Sequence, residues 1–328
     1  MKKLLLSVLS LACAATVLTG CAAAPTASIF GGSYFLSDYE NLSVGTVNET
    51  TVYNVTFAKN ENAKIAFAVD NGTYTTHVYT SEYNGTRCYR LDTELNIKGA
   101  YTIDDQPAPI EDVITTTAYF LGLDNAFKPL YSERRVKAHS AAYNGEKYEL
   151  KYYEYEVSTT YDDEKATVVF APNTEVSTGK YSLEAGETVY KDVFKKTYFD
   201  NETLLFAIRS FRLSNTFGTT FDSIDAISKT KRTLYIGAAT NGNSASNEAQ
   251  ESLDVSFTNG GEKMSKVDTL KFNLAVSGTY TGNVIVLNYS DPSDKKIGQQ
   301  LIKMQTQMTS GGGAIGTLTY LISNITKY

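Results

Sequence analysis

The feature that most constrains this chain is a two-residue alternation of apolar and polar side chains, which recurs in nearly every apolar segment. In "TTVYNVTFA", Tyr53, Val55 and Phe57 fall on one face. Successive side chains of a strand point to opposite faces, so this spacing makes sheet with one face buried. The 24 tyrosines and 15 phenylalanines, with recurrent Thr and Val, suit such a half-buried pleated surface.

The same period organises most of the chain. "KIAFAVDNGTYTTHVYTSEYNGTRCYRLDTELNI" reads as a three-stranded meander turning at Asp70–Gly72 and Tyr83–Gly85, because Asn-Gly takes the positive φ angles of tight hairpins. "EDVITTTAYFLGLDNAFKPLYSERRVKA" reads as strand, loop and strand, and "YELKYYEYEVSTTYDDEKATVVFA" as a hairpin turning at Asp162–Lys165. Further strands are expected at "KRTLYIG", "TLKFNLAVSG", "GNVIVLNYS", "QQLIKMQTQM" and "AIGTLTYLI". One segment breaks the period. In "DNETLLFAIRSFRL", Asp200 is a natural N-cap and Leu204, Ile208 and Phe211 recur at helical spacing, predicting a helix over 201–212. A polar Asn/Ser-rich loop at 239–252 is expected as an exposed insertion.

The first twenty residues carry an address. Lys2 and Lys3 precede the apolar "LLLSVLSLACAATVL", and Leu18, Thr19 and Gly20 lead into Cys21. That arrangement resembles a bacterial lipobox, which implies a diacylglyceryl thioether on Cys21 as the mature N-terminus. The expected organisation is a signal peptide at 1–20, a lipidated N-terminus and tether at 21–48, and a single β-rich domain at 49–328. The protein is then extracytoplasmic and lipid-anchored, with the membrane as a partner. Cys13 leaves with the signal and Cys21 is acylated, so Cys88 has no disulfide partner. Alternation through Tyr89, Leu91, Leu95 and Ile97 puts Cys88 on the opposite face, as an inert, half-exposed thiol. Removing Lys2 and Lys3 from the 30 basic residues leaves 28 against 36 acidic, which argues against a nucleic-acid partner.

Catalytic chemistry finds little to work with. Neither His77 nor His139 has ligand spacing, and no Gly-rich phosphate loop, GxSxG or HExxH is present. The pairs Asp104-Asp105, Glu111-Asp112 and Asp162-Asp163 are read as solvated acids beside turns, and "SDPSD" at 290–294 as a turn. No enzyme activity, cofactor or metal site is therefore expected. Aromatic side chains are the remaining candidates. Tyr153, Tyr155 and Val157 share one face of their strand, where the rings either pack across strands or line a cavity for a lipid or glycan. Leu204, Ile208 and Phe211 are likewise either the core-facing stripe of their helix or the floor of that cavity.

The order of "PLYSERR", "TYFDNETLLFAIRSFRL", "FGTTFDSIDAISKTKRTLYI" and "VLNYSDPSDKKIGQQLIKMQTQM" resembles a family of exported bacterial proteins known as a domain of unknown function. Such proteins are similar to the LolA/LolB-like half-barrels, which implies a mainly β fold: one long curved antiparallel sheet with a single short helix against its concave face. The function expected from this is a non-enzymatic lipoprotein that binds an apolar or amphiphilic ligand in the curved sheet. An envelope adhesion protein contacting polymer or protein is the alternative, since fold does not fix function.

The lipobox has a direct test. Cys21→Ser should abolish incorporation of an alkyne fatty acid in the producing cell and release or stall the protein. Label persisting on the serine variant would contradict the assignment.

Overall fold

A computed structural model describes residues 29–30, 42–162, 164–181, 183–239, 249–277, 284–294, 296–310 and 313–328, with Asp124 described in its backbone alone. Cys21 and the signal lie outside the described residues, as do most of the tether, Asp163 and residues 240–248 of the polar loop.

The first half of the chain is a meander of long strands: β1 (Val47–Lys59), β2 (Ala66–Tyr83), β3 (Thr86–Ile103), β4 (Gln106–Phe120), β5 (Pro129–Tyr143), β6 (Tyr148–Tyr161), β7 (Lys165–Pro172) and β8 (Gly186–Lys191). A short helix, α1 (Leu204–Ala207), then precedes β9 (Gly218–Asp225), β10 (Thr230–Ala238), β11 (Gln250–Asn259), β12 (Glu262–Val276), β13 (Ile285–Ser290), β14 (Leu301–Ser310) and β15 (Gly313–Lys327). The fifteen strands form one sheet, in the order β8-β7-β6-β5-β4-β3-β2-β1-β15-β14-β13-β12-β10-β9, with β11 paired to both β12 and β15. The mainly β fold, its long antiparallel curved sheet and its one short helix are those expected. β1 begins at Val47, before the expected domain boundary, and Gly45 already donates to the Thr80 carbonyl at 2.9 Å.

Alternation decides which side is core. Along β3, Leu91, Leu95, Ile97 and Tyr101 are buried inward, while Asp92, Glu94 and Lys98 face out. Hairpin turns carry the residues their geometry requires: Asn84 and Gly85 both take positive φ between β2 and β3, and Asp104 and Asp105 do so between β3 and β4.

The expected turn at Asp70–Gly72 does not form. β2 runs straight through it, with its register against β3 shifting between Val69 and Asn71, so the segment is a bulge within one strand. Gly72 is needed there for space, not for a positive φ. A Cβ on it would lie 2.6 Å from the Val55 carbonyl oxygen of β1. The Asn-Gly signal is local, whereas this close approach is set by the neighbouring strand.

Closure goes beyond a simple half-barrel. β11 to β15 form a ring, because β11 pairs antiparallel with β12 and, over Thr258–Asn259, parallel with β15. At the far edges the chain after β8 crosses to β9: Asp222 donates to the Thr197 carbonyl at 2.8 Å, and Phe199 donates to the Asp222 carbonyl at 3.1 Å. One end is stoppered by aromatic rings. Phe30 packs on Phe127, Phe199 and Phe211 with centroids 5.8, 6.2 and 5.8 Å away, and Arg212 donates to the Ile29 carbonyl. The tether thus docks on the domain at Ile29–Phe30.

Gly72→Ala should lower stability by about 1–3 kcal/mol in urea unfolding, because the new methyl meets backbone that must shift. A cost under about 0.5 kcal/mol, as at an open loop tip, would contradict the bulge.

Candidate functional site

Between β8 and β9 the chain leaves the wall and enters the barrel. Its fold there begins with Asp200, whose Oδ1 accepts from the Glu202 amide at 2.7 Å and whose carbonyl accepts from the amide and hydroxyl of Thr203, both at 3.2 Å. This closes a turn over 200–203, so α1 starts later than expected and has Thr203 in its N-cap position. α1 spans four residues and tightens into a 3-10 turn over Ile208–Ser210. Phe211 is already extended, paired with Phe30, and its carbonyl accepts from Gln299 Nε2 at 2.8 Å. The twelve-residue helix expected from periodicity is therefore cut at its start by the Asp200 turn and at its end by contacts from elsewhere in the barrel.

Two buried ion pairs fix this segment. Arg209 grips Glu49 of β1 through two hydrogen bonds, Nη1 to Oε1 at 2.7 Å and Nη2 to Oε2 at 2.9 Å. Its side chain is 5% exposed and that of Glu49 1%, so neither charge has water to fall back on. Arg134 of β5 meets Glu202 at 2.8 Å, and Thr116 of β4 donates to the same carboxylate at 3.2 Å. Neutral bonds add to these: Tyr289 Oη donates to the Leu205 carbonyl at 2.9 Å, and Ser132 and Tyr161 donate to Asp200 Oδ2 at 2.7 and 2.5 Å. Burial would push Glu49 up, but the Arg209 guanidinium outweighs it and holds the carboxyl below its ordinary value of 4.5. Burial, with Glu202 nearby, raises Asp200 despite the bonds it accepts from Tyr161 and Ser132.

The segment does not fill the space it enters. A partly enclosed cavity of about 120 Å³ remains between its inner face, the concave sheet from β1 to β5, and β12 to β14. Leu91, Leu95, Ile114, Leu274, Ile285, Leu301 and Met304 supply apolar wall, and Thr76, Thr93, Thr116, Thr306, Gln300 and Gln307 supply polar points. Tyr53 and Tyr74 border it, and burial pushes the Tyr74 phenol up to about 12, so it is a neutral donor at physiological pH.

Of the residues singled out by sequence, Leu204 lines this cavity. Ile208 and Phe211 are fully buried but do not line it, and Phe211 belongs to the aromatic stopper with Phe199 and Phe221. Tyr153 and Tyr155 lie away from the cavity too, packed with Tyr181 and, for Tyr155, Phe170. The cavity-facing stripe is instead Glu202, Leu205, Phe206 and Arg209. It has the same helical spacing one step out of phase. Because charged residues stand at both its ends, a search for apolar recurrence passes over it, and the one signal was an arginine inside "LLFAIRSF".

Two other readings change. Cys88 is buried, not half-exposed, as is Tyr89 beside it, so both faces of β3 are covered at this end. Burial, with Glu82, pushes its thiol up to about 11, which keeps it protonated and inert. Glu111 and Asp112 sit within β4, away from a turn, and Asp112 is buried. The β4–β5 ladder ends at Val113 and Lys137, and Asp112 Oδ1 takes over by accepting from the His139 amide at 2.9 Å and pairing with His139 Nδ1 at 2.7 Å. Burial raises this carboxyl despite those bonds. His77 pairs with Thr50 Oγ1 at 2.9 Å. Among the described residues, no group of three or more His, Cys, Asp or Glu side chains is placed to hold a metal ion.

No protein-family model matches the chain, and no curated protein matches it. Among solved structures, it is similar to a β-barrel-like protein of the domain of unknown function DUF1849 from Brucella abortus. The two are 11% identical with a TM-score of 0.47, over 87% of this chain and all of that one.

The Arg209–Glu49 pair makes stability depend on pH with a definite sign. A carboxyl whose folded pKa is depressed stabilises above its unfolded value and loses that contribution as pH falls through the folded one. Glu49→Gln, which leaves Arg209 buried without its counter-ion, should cost about 3–5 kcal/mol at pH 7. In urea titrations the gap between parent and variant should narrow as pH drops below 4.5. A gap that stays constant down to pH of about 2 would contradict an ionised Glu49 as its source.

Proposed function

We propose that this chain is a membrane-anchored lipoprotein, tethered through acylated Cys21, whose barrel is a non-enzymatic binding module for an apolar or amphiphilic ligand. The observation that carries the reading is the cavity itself: about 120 Å³ of space, walled by Leu, Ile, Phe and Met side chains interleaved with polar ones, beside an otherwise packed core. Close-packed interiors do not leave such space without cost, and an engineered apolar cavity of about 150 Å³ already takes up benzene. Threonine, asparagine and glutamine side chains interleave with the apolar ones along its wall, as suits a guest with both an apolar and a polar part.

A second reading has its own support. Tyr83 lies 5.0 Å from Tyr119 and 5.6 Å from Tyr131, and the Arg90 guanidinium sits 4.1 Å above the Tyr79 ring. These side chains alternate with cavity-lining residues of β2 to β5 and so face outward, where they suit contact with an envelope polymer or protein.

Native mass spectrometry of protein from the producing cell separates the two. A co-purifying lipid is expected with the parent and absent from the Leu95→Phe/Met304→Phe variant, which fills the cavity from two walls. Ile208→Ala serves as the contrast: it should cost about 2–5 kcal/mol through lost packing and leave the adduct in place. A clean parent mass together with polymer pull-down would favour the outer tyrosines instead.

A further inference from the structure

We infer that the cavity selects a small uncharged amphiphile, such as a short-chain alcohol or amide, and rejects the carboxylate anion of the same chain length; this rests on the proposed ligand-binding role. Arg134 and Arg209 border it, and each already has a carboxylate partner, Glu202 at 2.8 Å and Glu49 at 2.7 Å. An incoming carboxylate would have to displace a glutamate that is held in the same fold, or remain a buried charge with no counter-ion. Both outcomes are unfavourable where water is largely excluded.

Neutral hydrogen-bonding groups fare differently. Thr76, Thr93, Asn201 and Thr306 present hydroxyls and an amide at the cavity wall. Gln300 stiffens the Glu49 side of this arrangement: its Nε2 donates to Thr51 Oγ1 at 3.0 Å and to Glu49 Oε1 at 3.4 Å, which helps hold that carboxylate against displacement by a ligand anion.

Isothermal titration calorimetry of the full chain at pH 8 with 1-hexanol and with sodium hexanoate tests the selection. Parent protein should bind the alcohol at least 100-fold more tightly than the anion of the same chain length. In Glu202→Gln, where Arg134 loses its carboxylate, the ratio of the two affinities should shift at least tenfold toward hexanoate. Equal binding, or tighter binding of hexanoate, by the parent overturns the selection while leaving ligand binding intact. An unchanged ratio in a folded Glu202→Gln overturns the pairing of the arginines as its cause; if that variant does not fold, the parent ratio alone decides. Binding of neither compound by the parent overturns the selection together with the role on which it rests.

Discussion

A sheet of fifteen strands cannot fill its own interior. Side chains from the wall suffice for a barrel of about eight strands, and wider ones hold water, a ligand or a plug. This chain supplies a plug from its own middle, the segment around α1, and most of the remaining architecture follows from having to hold it. Apolar contact alone would let a four-residue helix slide or fray, since helices this short have no stability of their own. The ion pairs from Arg209 to Glu49 and from Arg134 to Glu202 give it one position and one rotation.

That solution has a consequence for chemistry. Glu202 and Arg209, carried in by the plug, are met by Arg134 and Glu49 on the wall, so each of these four charges has a partner. The plug packs one side, with Ile208 buried and Phe211 in the aromatic stopper, and leaves the other side against open space. A single short segment thereby separates core from cavity.

Much of the wall was legible because its determinants are local. The alternation at Tyr53, Val55 and Phe57 survives intact in β1, and the Asn84-Gly85 turn forms where its residue types demand it. The cavity was not legible, because its determinants are distant in sequence. Arg209 and Glu49 lie 160 residues apart, and nothing near either one announces the other. Asp70–Gly72 shows the same limit from the opposite side, where a sound local turn signal is overridden by the approach of Val55. Helical spacing groups Leu204, Ile208 and Phe211, but the helix ends before Phe211, and Leu204 alone of the three lines the cavity, because periodicity describes a helix and not what stands opposite it. The adjacent stripe, Glu202 to Arg209, found the empty space.

A plug pinned by two buried ion pairs is a fixed part of the fold with room left beside it, rather than a mobile lid. Hydrogen exchange of the amides from Thr203 to Phe211 distinguishes these states. Protection comparable to that of β1 and β15 is expected in the free protein, with a neutral amphiphile slowing exchange further over 201–209 alone. Exchange near the unprotected rate in the free protein, with ordering only on ligand addition, would contradict a fixed plug.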